Sequence, residues 1–332
     1  MHTLIYHYGA LGDFITTLPA CAKCRQPFPG RVTLLGKSSH GNLARHSGYV
    51  DTVLEADSSR YRFLFLENQP TTSAESFWEQ FDTALLFAAA DAPITLSAHR
   101  FFRGSLFHQT PLPPPGHHAV DYHLTFFSDS SALMKPPYPV LVAATPPLGS
   151  FSGSNTSAPY MVIHPGSGSV QKNWPFNHFV EVATLLRRNG YRIIWLSGPA
   201  EKDCLYPVTD EHHHDLPLKE CVRLLANATA YLGNDSGITH LAAAAGTDVV
   251  ALFGPSDPSV WAPRGSGTIR IMHHPPSHNC FPCHLQSPET AGCNRECITG
   301  ITPTEVVDML LSLRCDDHHN DAELVRNHFG YS

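Results

Sequence analysis

Short apolar runs alternate with longer amphipathic stretches along much of the chain, most regularly in its second half. Short apolar runs between polar turns are typical of strands that are buried on both faces. The predicted strands of this half are Tyr160–His164, Tyr191–Ser197, Ala230–Gly233 and Asp248–Phe253. The predicted helices between them are Pro175–Asn189, Leu218–Ala226 and Ser236–Ala245. Strands that alternate with helices favour an α/β fold with a parallel sheet.

The first half alternates less regularly. Its predicted strands are His2–Tyr8, Arg31–Leu35, Thr52–Ala56, Thr83–Phe87 and Ile94–Ser97. One predicted helix begins at Asp13, and we expect Pro19 to end or bend it early, because proline removes a backbone donor. A second helix is predicted over Asp121–Met134. In the second half, the His212–His214 run is interpreted as a loop that holds no metal.

A change of composition divides the two halves. Pro136–Pro159 has few charges and many turn-forming residues, which is typical of a linker with an exposed loop. We therefore predict an N-terminal domain over residues 1–145, a linker over 146–159 and a C-terminal domain over 160–302. Residues 303–332 follow as an amphipathic helix, Pro303–Arg314, and a polar tail. A chain of 332 residues is long enough for two separate cores.

Composition argues against several classes of protein. The formal net charge of −7, without any basic block, is unlike that of a general nucleic-acid binder. No run approaches the ~18 apolar residues of a membrane span, and the N-terminal residues lack the segments of a signal peptide. We therefore expect a cytoplasmic protein, whose nine cysteines are thiols or metal ligands rather than disulfides.

Polar turns follow the predicted strands of the C-terminal domain, at the edge where open α/β sheets bind ligands. One turn leads into a helix whose first N–H groups favour an anion, most often a phosphate. The residues of this turn are Asp235, Ser236 and Gly237. A second turn offers N–H and O–H donors, with Lys172 as the positive charge behind them. Its residues are Ser167, Gly168 and Ser169. The alternative for this second turn is a surface loop with a solvated lysine. The presence of the Asp235 turn beside it disfavours this alternative.

Two further residues extend this edge. Glu201 follows the strand that ends at Ser197 and is placed to accept hydrogen bonds from a ribose or a base. The competing interpretation is a carboxylate favoured by a helix N-terminus. His240 lies four residues after Ser236, hence on the same helix face, although a lone histidine is more often structural.

The first predicted strand ends in a glycine turn. Gly9 and Gly12 let the backbone turn tightly and let a substrate approach closely, and Asp13 follows at the start of a helix. Asp13 fits a helix cap and a general base about equally well on spacing alone. The pattern is not G-x-G-x-x-G, so a dinucleotide fingerprint is not supported.

A cysteine-rich segment lies near the end of the C-terminal domain. Four cysteines have the count for a structural zinc site, whereas the short spacing favours reduced buried thiols. They are Cys280, Cys283, Cys293 and Cys297.

An ordered set of these motifs resembles glycosyltransferase family 9, the ADP-heptose:lipopolysaccharide heptosyltransferases. In chain order the set comprises G-D-x-x-x-T-L-P, H-P-G-S-G followed by K-N-W-P, N-D-S-G-I-T-H-L-A-A-A, A-L-F-G-P-S-D-P-S-V-W-A-P and the four-cysteine segment. It extends over about the whole chain and is densest in Tyr160–Thr302.

The resemblance implies a GT-B architecture, in which two Rossmann-like domains with parallel sheets face each other across a cleft. The N-terminal domain would bind the acceptor and the C-terminal domain the nucleotide sugar, with residues 303–332 packing back toward the former. An inverting transfer that requires no metal is also implied, and the chain contains no D-x-D pair of the kind that holds a metal-bound nucleotide sugar.

The resemblance also implies roles for individual residues. Asp13 matches the base, Lys172 the lysine on the donor phosphates and Glu201 the acid that holds the nucleoside. The turn on the donor sugar and diphosphate is matched by Asp235, Ser236, Gly237 and His240. The implied partners are a nucleotide-diphosphate sugar, with ADP-heptose favoured, and a lipopolysaccharide-core or other glycan acceptor. Contact with the cytoplasmic face of the inner membrane would be peripheral at most.

Two other functions stay open at the level of the sequence. One is a different nucleotide-sugar enzyme on the same scaffold, with another donor or with epimerase activity. The other is a non-catalytic protein that binds a nucleotide sugar. Product analysis with and without an acceptor separates them from a transferase.

Overall fold

The computed structural model describes residues 1–66, 71–127, 138–141, 158–198, 201, 204–274 and 295–313. The chain forms two compact units. The first unit consists of Met1–Thr145 together with Pro217–Arg223 and Ser259–Arg264, and the second contains the remaining residues. Most of the predicted linker over 146–159 lies outside the described residues, so the predicted domain boundaries stay predictions.

The first unit is built on a parallel sheet. Among its described residues the strands are β1 (His2–His7), β2 (Arg31–Gly36), β3 (Thr52–Glu55), β4 (Thr83–Phe87) and β5 (Ser105–Gln109). The helices are α1 (Leu11–Lys23), α2 (Ser38–His46), α3 (Thr71–Trp78), α4 (Pro93–Phe101) and α5 (Ala119–Leu124). The strand order is β3-β2-β1-β4-β5, and every neighbouring pair is parallel.

The second half of the chain repeats this plan. Its described strands are β6 (Tyr160–His164), β7 (Arg192–Ser197), β8 (Glu211–His214), β9 (Ala230–Asn234), β10 (Val249–Phe253) and β11 (Ile269–His273). Its helices are α6 (Phe176–Arg188), α7 (Leu218–Ala226), α8 (Gly237–Ala244), α9 (Pro258–Trp261) and α10 (Glu296–Thr299), followed by helical backbone over 303–313. The strand order is β11-β10-β9-β6-β7-β8, again parallel throughout.

In both sheets the first strand lies in the middle, and the order in which strands are added reverses there. The first strand of each sheet, β1 or β6, lies between the second and the fourth strand of that half. This is the order of a Rossmann sheet, whose ligands bind beside the carboxyl ends of the strands at the reversal. The α/β prediction with two parallel sheets is therefore confirmed, and the edges expected to bind ligands lie beyond β1/β4 and beyond β6/β9.

The core of the second unit explains why its pattern predicted the elements well. All residues of β9 and β10 are buried, as expected for central parallel strands. Helix α6 buries Phe179, Val182 and Leu186, which recur with helical spacing against the sheet. The helix over 303–313 contributes its own apolar face, including Val306 and Leu310, to this same core. Residues 314–332, which would have to return toward the N-terminal domain, lie outside the described residues.

Several local predictions were wrong. Ile94–Ser97 is not a strand but part of α4, in which Pro93 marks the first turn and the buried Ile94, Ala98 and Phe101 share one face. Pro19 does not end α1, which continues to Lys23, because burial of the surrounding turn offsets the lost backbone bond.

The histidine run is a second correction. Glu211–His214 forms the edge strand β8 and pairs with β7. An edge strand tolerates polar residues on both faces, so the run lacks the apolar pattern that would predict it.

Candidate functional site

Three loops meet at the carboxyl ends of β6, β9 and β10. Lys172, which follows β6, donates from Nζ to Asp235 Oδ2 at 2.6 Å. Ser256, which follows β10, donates from Oγ to the same oxygen at 2.5 Å. The sequence predicted Lys172 and Asp235 for one site, and the structure brings them together. The sequence also predicted the Gly254–Asp257 turn to lie at this ligand-binding edge, but gave no separate role for Ser256.

Burial strengthens the interaction between Lys172 and Asp235. The Asp235 side chain is 7% exposed and that of Lys172 is 28% exposed. A buried carboxylate needs its partners, because removing one leaves a desolvated charge. The Lys172 ammonium, with more of its surface open, keeps hydrogen-bonding capacity for an anion beside Asp235.

The start of α8 lies directly beyond Asp235. Ser236 caps this helix, with Oγ accepting from the Thr239 N–H at 3.3 Å. Gly237 is the first helical residue, so its N–H points outward at the positive end of the helix dipole. His240 is buried in the same helix, where its N–H donates to the Ser236 carbonyl. This is the geometry of an anion site.

Asn234, the last residue of β9, fastens two of these loops together. Its side chain is fully buried, donates from Nδ2 to the Pro165 carbonyl at 2.6 Å and accepts from the Trp174 N–H at 3.0 Å. The chain before and after Lys172 is thus tied to the strand that carries Asp235. An asparagine at the end of an all-apolar strand was the sequence signal for this role.

The predicted serine loop is held mainly by its own side chains. Ser167 Oγ donates to Asn173 Oδ1 at 2.6 Å, and Ser169 caps the short 3₁₀ helix Val170–Lys172. The space beyond the Gly168 Cα is open, so its backbone can be approached closely.

Arg295 braces the same turn from another element. Its Nη1 donates to the Val170 carbonyl at 2.8 Å, two residues before Lys172 in the chain. The backbone of Arg295 is left-handed, with φ 59°, and it caps α10. No local pattern indicated this contact, because it joins residues far apart in the chain.

Glu201 lies at the same edge of the sheet, after β7. Its Oε2 accepts from the Gly198 N–H at 2.8 Å, and its carboxyl group packs on Gly166, where a Cβ would lie 1.9 Å from Oε1. His164 Nε2 lies 3.9 Å from Oε2. Burial lowers the pKa of His164 to about 4, so the histidine is neutral near pH 7 and adds no charge.

In the first unit, Asp13 lies in the first turn of α1. Its Oδ2 accepts from the Ala10 N–H at 3.2 Å, which is the local capping contact that the sequence allowed. Gly9 lies in the turn before the helix, and Gly12 is already within it. A Cβ on Gly9 would lie 3.3 Å from Asp13 Oδ2, so a side chain at position 9 would crowd the carboxylate.

Three side chains at neighbouring strand ends border this loop. Tyr8, Lys37 and Asp57 follow β1, β2 and β3 respectively. The Tyr8 hydroxyl donates to Asp57 Oδ1, and Lys37 Nζ lies 5.2 Å from the centroid of the Tyr8 ring. None of the three belongs to a motif, so no local pattern predicted them for a site.

The zinc prediction falls mostly outside the described residues. Cys280, Cys283 and Cys293 are in that category, and Cys297 is buried on α10. Within the described parts of the chain, no group of three or more histidine, cysteine or acidic residues is arranged to hold a metal ion. Over the same residues, no helix combines the length and the apolar character that crossing a bilayer requires.

Comparisons with known proteins identify the family of the chain. The family model described as glycosyltransferase family 9 (heptosyltransferase) matches residues 77–287, well over half of the chain. A lipooligosaccharide heptosyltransferase 2 of Haemophilus influenzae is 36% identical over 28% of this chain and 30% of its own length. Lipopolysaccharide heptosyltransferase 1 of Escherichia coli K12 is 23% identical over 86% of this chain and 98% of its own length. Several curated relatives, the Haemophilus protein among them, are thus matched over less than half of their length.

Solved structures show the same fold. The E. coli ADP-heptose lps heptosyltransferase II superposes with a TM-score of 0.71 at 19% identity, covering 96% of this chain and 100% of that one. The iron-containing dodecameric glycosyltransferase TibC of enterotoxigenic E. coli gives 0.63 at 18% identity, covering 95% and 76%. The fold is therefore GT-B, as the resemblance implied. Because the family model covers well over half of the chain, the protein belongs to glycosyltransferase family 9.

Proposed function

We propose that the protein transfers a heptose from ADP-heptose to a sugar hydroxyl of a lipopolysaccharide core or a related glycan. The observation that carries this proposal is the meeting of Lys172, Asp235 and the first turn of α8 at the reversal of the second sheet. The lysine cation and the helix N-terminus suit the diphosphate, and the buried Asp235 carboxylate can accept hydrogen bonds from the hydroxyls of the sugar. Family membership supports the reaction class, and the E. coli neighbour that acts with ADP-heptose supports the donor.

The donor side is assigned as follows. Lys172 and the N–H groups of Ser236 and Gly237 bind the diphosphate, helped by the loop of Ser167, Gly168 and Ser169. Asp235 accepts hydrogen bonds from the sugar, Glu201 holds the nucleoside, and His240 supports the helix turn beside the phosphates. Support for this assignment is that all of these residues lie at one edge of one sheet.

Asp13 is assigned as the general base. It takes the proton of the acceptor hydroxyl while the oxygen attacks the anomeric carbon, and the bond from that carbon to the diphosphate breaks on the opposite face. The electron pair goes to the leaving diphosphate, whose growing charge Lys172 and the α8 N–H groups stabilise. A single displacement of this kind inverts the anomeric centre.

We propose that this chemistry needs no metal, because a fixed lysine and helix N–H groups supply the required positive potential. One structural relative is iron-containing, so metal content and chelator sensitivity belong on the same preparation. Turnover that persists in chelator, whatever metal is bound, supports the assignment. Loss of turnover that added metal restores overturns it.

The acceptor would be part of a lipid-anchored glycan. We therefore propose a cytoplasmic reaction with, at most, peripheral contact at the inner membrane. Co-sedimentation of the purified protein with anionic vesicles tests this contact.

The deciding experiment is Asp13→Asn. Transfer should fall by about 10²–10⁴-fold, the usual contribution of a general base, while ADP affinity in calorimetry stays unchanged. Product analysis with and without acceptor is run in parallel. Substantial transfer by the variant would remove Asp13 as the base, and an epimerised donor without acceptor would identify a different enzyme on the same scaffold.

A further inference from the structure

His7 ends β1 immediately before the loop that leads to Asp13. Its side chain is 1% exposed and lies near Phe14 and Phe87, with ring centroids 5.3 and 5.9 Å away. Burying an imidazole among aromatic rings costs free energy unless its polar atoms are used. The hydrogen-bond partner of His7 therefore indicates what this buried ring does.

The imidazole holds the backbone of the glycine turn. His7 Nδ1 accepts a hydrogen bond from the Gly9 N–H at 3.3 Å, so the ring proton resides on Nε2. Among the described residues Nε2 is buried without a hydrogen-bond partner. The single bond that His7 makes through Nδ1 thus points at the Asp13 loop.

Gly9 separates the imidazole from the carboxylate. A Cβ at this position would lie 2.9 Å from His7 Cε1 and 3.3 Å from Asp13 Oδ2. A side chain at position 9 would therefore press on both the imidazole and the carboxylate, and glycine leaves this space to them. The next residue, Ala10, donates its N–H to the same Asp13 oxygen at 3.2 Å. The imidazole, the two backbone units and the carboxylate form one continuous set of contacts.

Neutrality of the ring is part of this arrangement. Burial, helped by His40 on α2, His123 on α5 and the nearby Lys37, lowers the pKa of His7 to about 3. Near neutral pH the ring keeps a lone pair on Nδ1 for Gly9.

We propose that His7 is a positioning residue for the reaction: it sets the conformation of the Gly9–Asp13 loop and thereby the direction of the Asp13 carboxylate toward the acceptor hydroxyl. The inference rests on the proposed role of Asp13 as base. His7 does not touch the substrate. Its effect reaches the chemistry through the Gly9 N–H and the adjacent Ala10 N–H, which donates to the carboxylate.

Two substitutions separate the hydrogen bond from the packing. His7→Phe keeps an aromatic ring but removes the acceptor, whereas His7→Asn places an amide oxygen near the position of Nδ1. We expect kcat of the phenylalanine variant to fall by about 10²-fold, as for a misplaced catalytic group, and that of the asparagine variant to stay within several-fold of the parent. KM for the donor should not change in either, since the donor residues lie in the second unit.

The matched control is His123→Phe. His123 is also fully buried in the first unit and also has a buried Nε2 without a hydrogen-bond partner among the described residues, but its Nδ1 faces Gln109 rather than the loop. The His123→Phe substitution should change thermal stability, because it alters packing in the core. Its kcat should stay within about twofold of the parent.

The outcomes are distinct. Rescue by asparagine with an unchanged donor KM supports the inference. Equal kcat loss in His7→Phe, His7→Asn and His123→Phe would show a merely structural histidine, and parental kcat in His7→Phe would overturn the inference while leaving Asp13→Asn to report on the base. Retained turnover in Asp13→Asn is the separate result that ends the proposed mechanism.

Discussion

Asp235 accepts from Lys172 and Ser256 on one buried oxygen, so changes at this residue-scale contact act on binding and on folding at once. Lys172→Ala should weaken ADP binding by about 10–100-fold, since hydrogen bonds to charged groups contribute about 1.5–3 kcal/mol. Calorimetry measures the affinity and thermal unfolding the stability, which should also fall. Lys219→Ala, at an exposed lysine of α7, is the control. Unchanged ADP affinity in Lys172→Ala would remove Lys172 from the donor site.

Two glycines of the same loop give a matched pair at the residue scale. A Cβ on Gly166 would lie 1.9 Å from Glu201 Oε1, whereas a Cβ on Gly168 meets nothing within 4 Å. Gly166→Ala should therefore lower the free energy of unfolding by about 1–3 kcal/mol, the usual cost of overpacking. Gly168→Ala should change it by less than about 0.5 kcal/mol. Equal effects in denaturant titrations would contradict the packing of Glu201 on Gly166.

At the scale of elements, Arg295 at the start of α10 supports the turn that contains Lys172. Arg295→Ala and Arg295→Gly both remove the guanidinium, so both should weaken ADP binding several-fold by calorimetry. Because the backbone of Arg295 is left-handed, glycine fits it without strain and should be the more stable of the two by about 1 kcal/mol. If only the alanine variant lost affinity, backbone strain rather than the side-chain brace would be responsible.

Individual elements show what the sequence could reveal. The apolar runs of β4 and β6 and the amphipathic α7 were predicted with their observed bounds, because burial sets their periodicity. The strand prediction for Ile94–Ser97 was wrong because four residues are too few to distinguish a period of two from a period of 3.6. The loop prediction for the residues of β8 was wrong because an edge strand can be polar on both faces and then shows no apolar pattern. Lys172 and Asp235 were found since strand ends converge in a parallel sheet. The contacts of Ser256 and Arg295 join distant segments of the chain, so no local pattern reveals them.

At the scale of the whole molecule, buried histidines make stability depend on pH. Burial lowers the pKa of His7 to about 3 and of His40, His123 and His164 to about 4. The unfolded chain, with histidine pKa values near 6.5, binds more protons than the folded one between roughly pH 4 and 6.5, so stability falls as pH falls through that window.

The first unit contains three of these four histidines. It should therefore lose stability on acidification more steeply than the second, by up to about 1.4 kcal/mol per pH unit for each histidine. Hydrogen exchange at pH 7 and pH 5, resolved by unit and corrected for intrinsic rates, measures the difference. His123→Phe should reduce the slope of the first unit, and equal slopes in both units would contradict the prediction.

The first unit also includes Ser259–Arg264, a segment that follows nearly all of the second sheet in the chain. Within that unit Arg264 binds Asp121 through two hydrogen bonds of 2.7 Å, and His118 Nε2 lies 2.9 Å from the Ala262 carbonyl. A gene cut once between the two halves would therefore separate Asp121 and His118 from their partners. A chimera that exchanges the N-terminal half should therefore carry residues 217–223 and 259–264 from the same parent as that half, so that these contacts are kept.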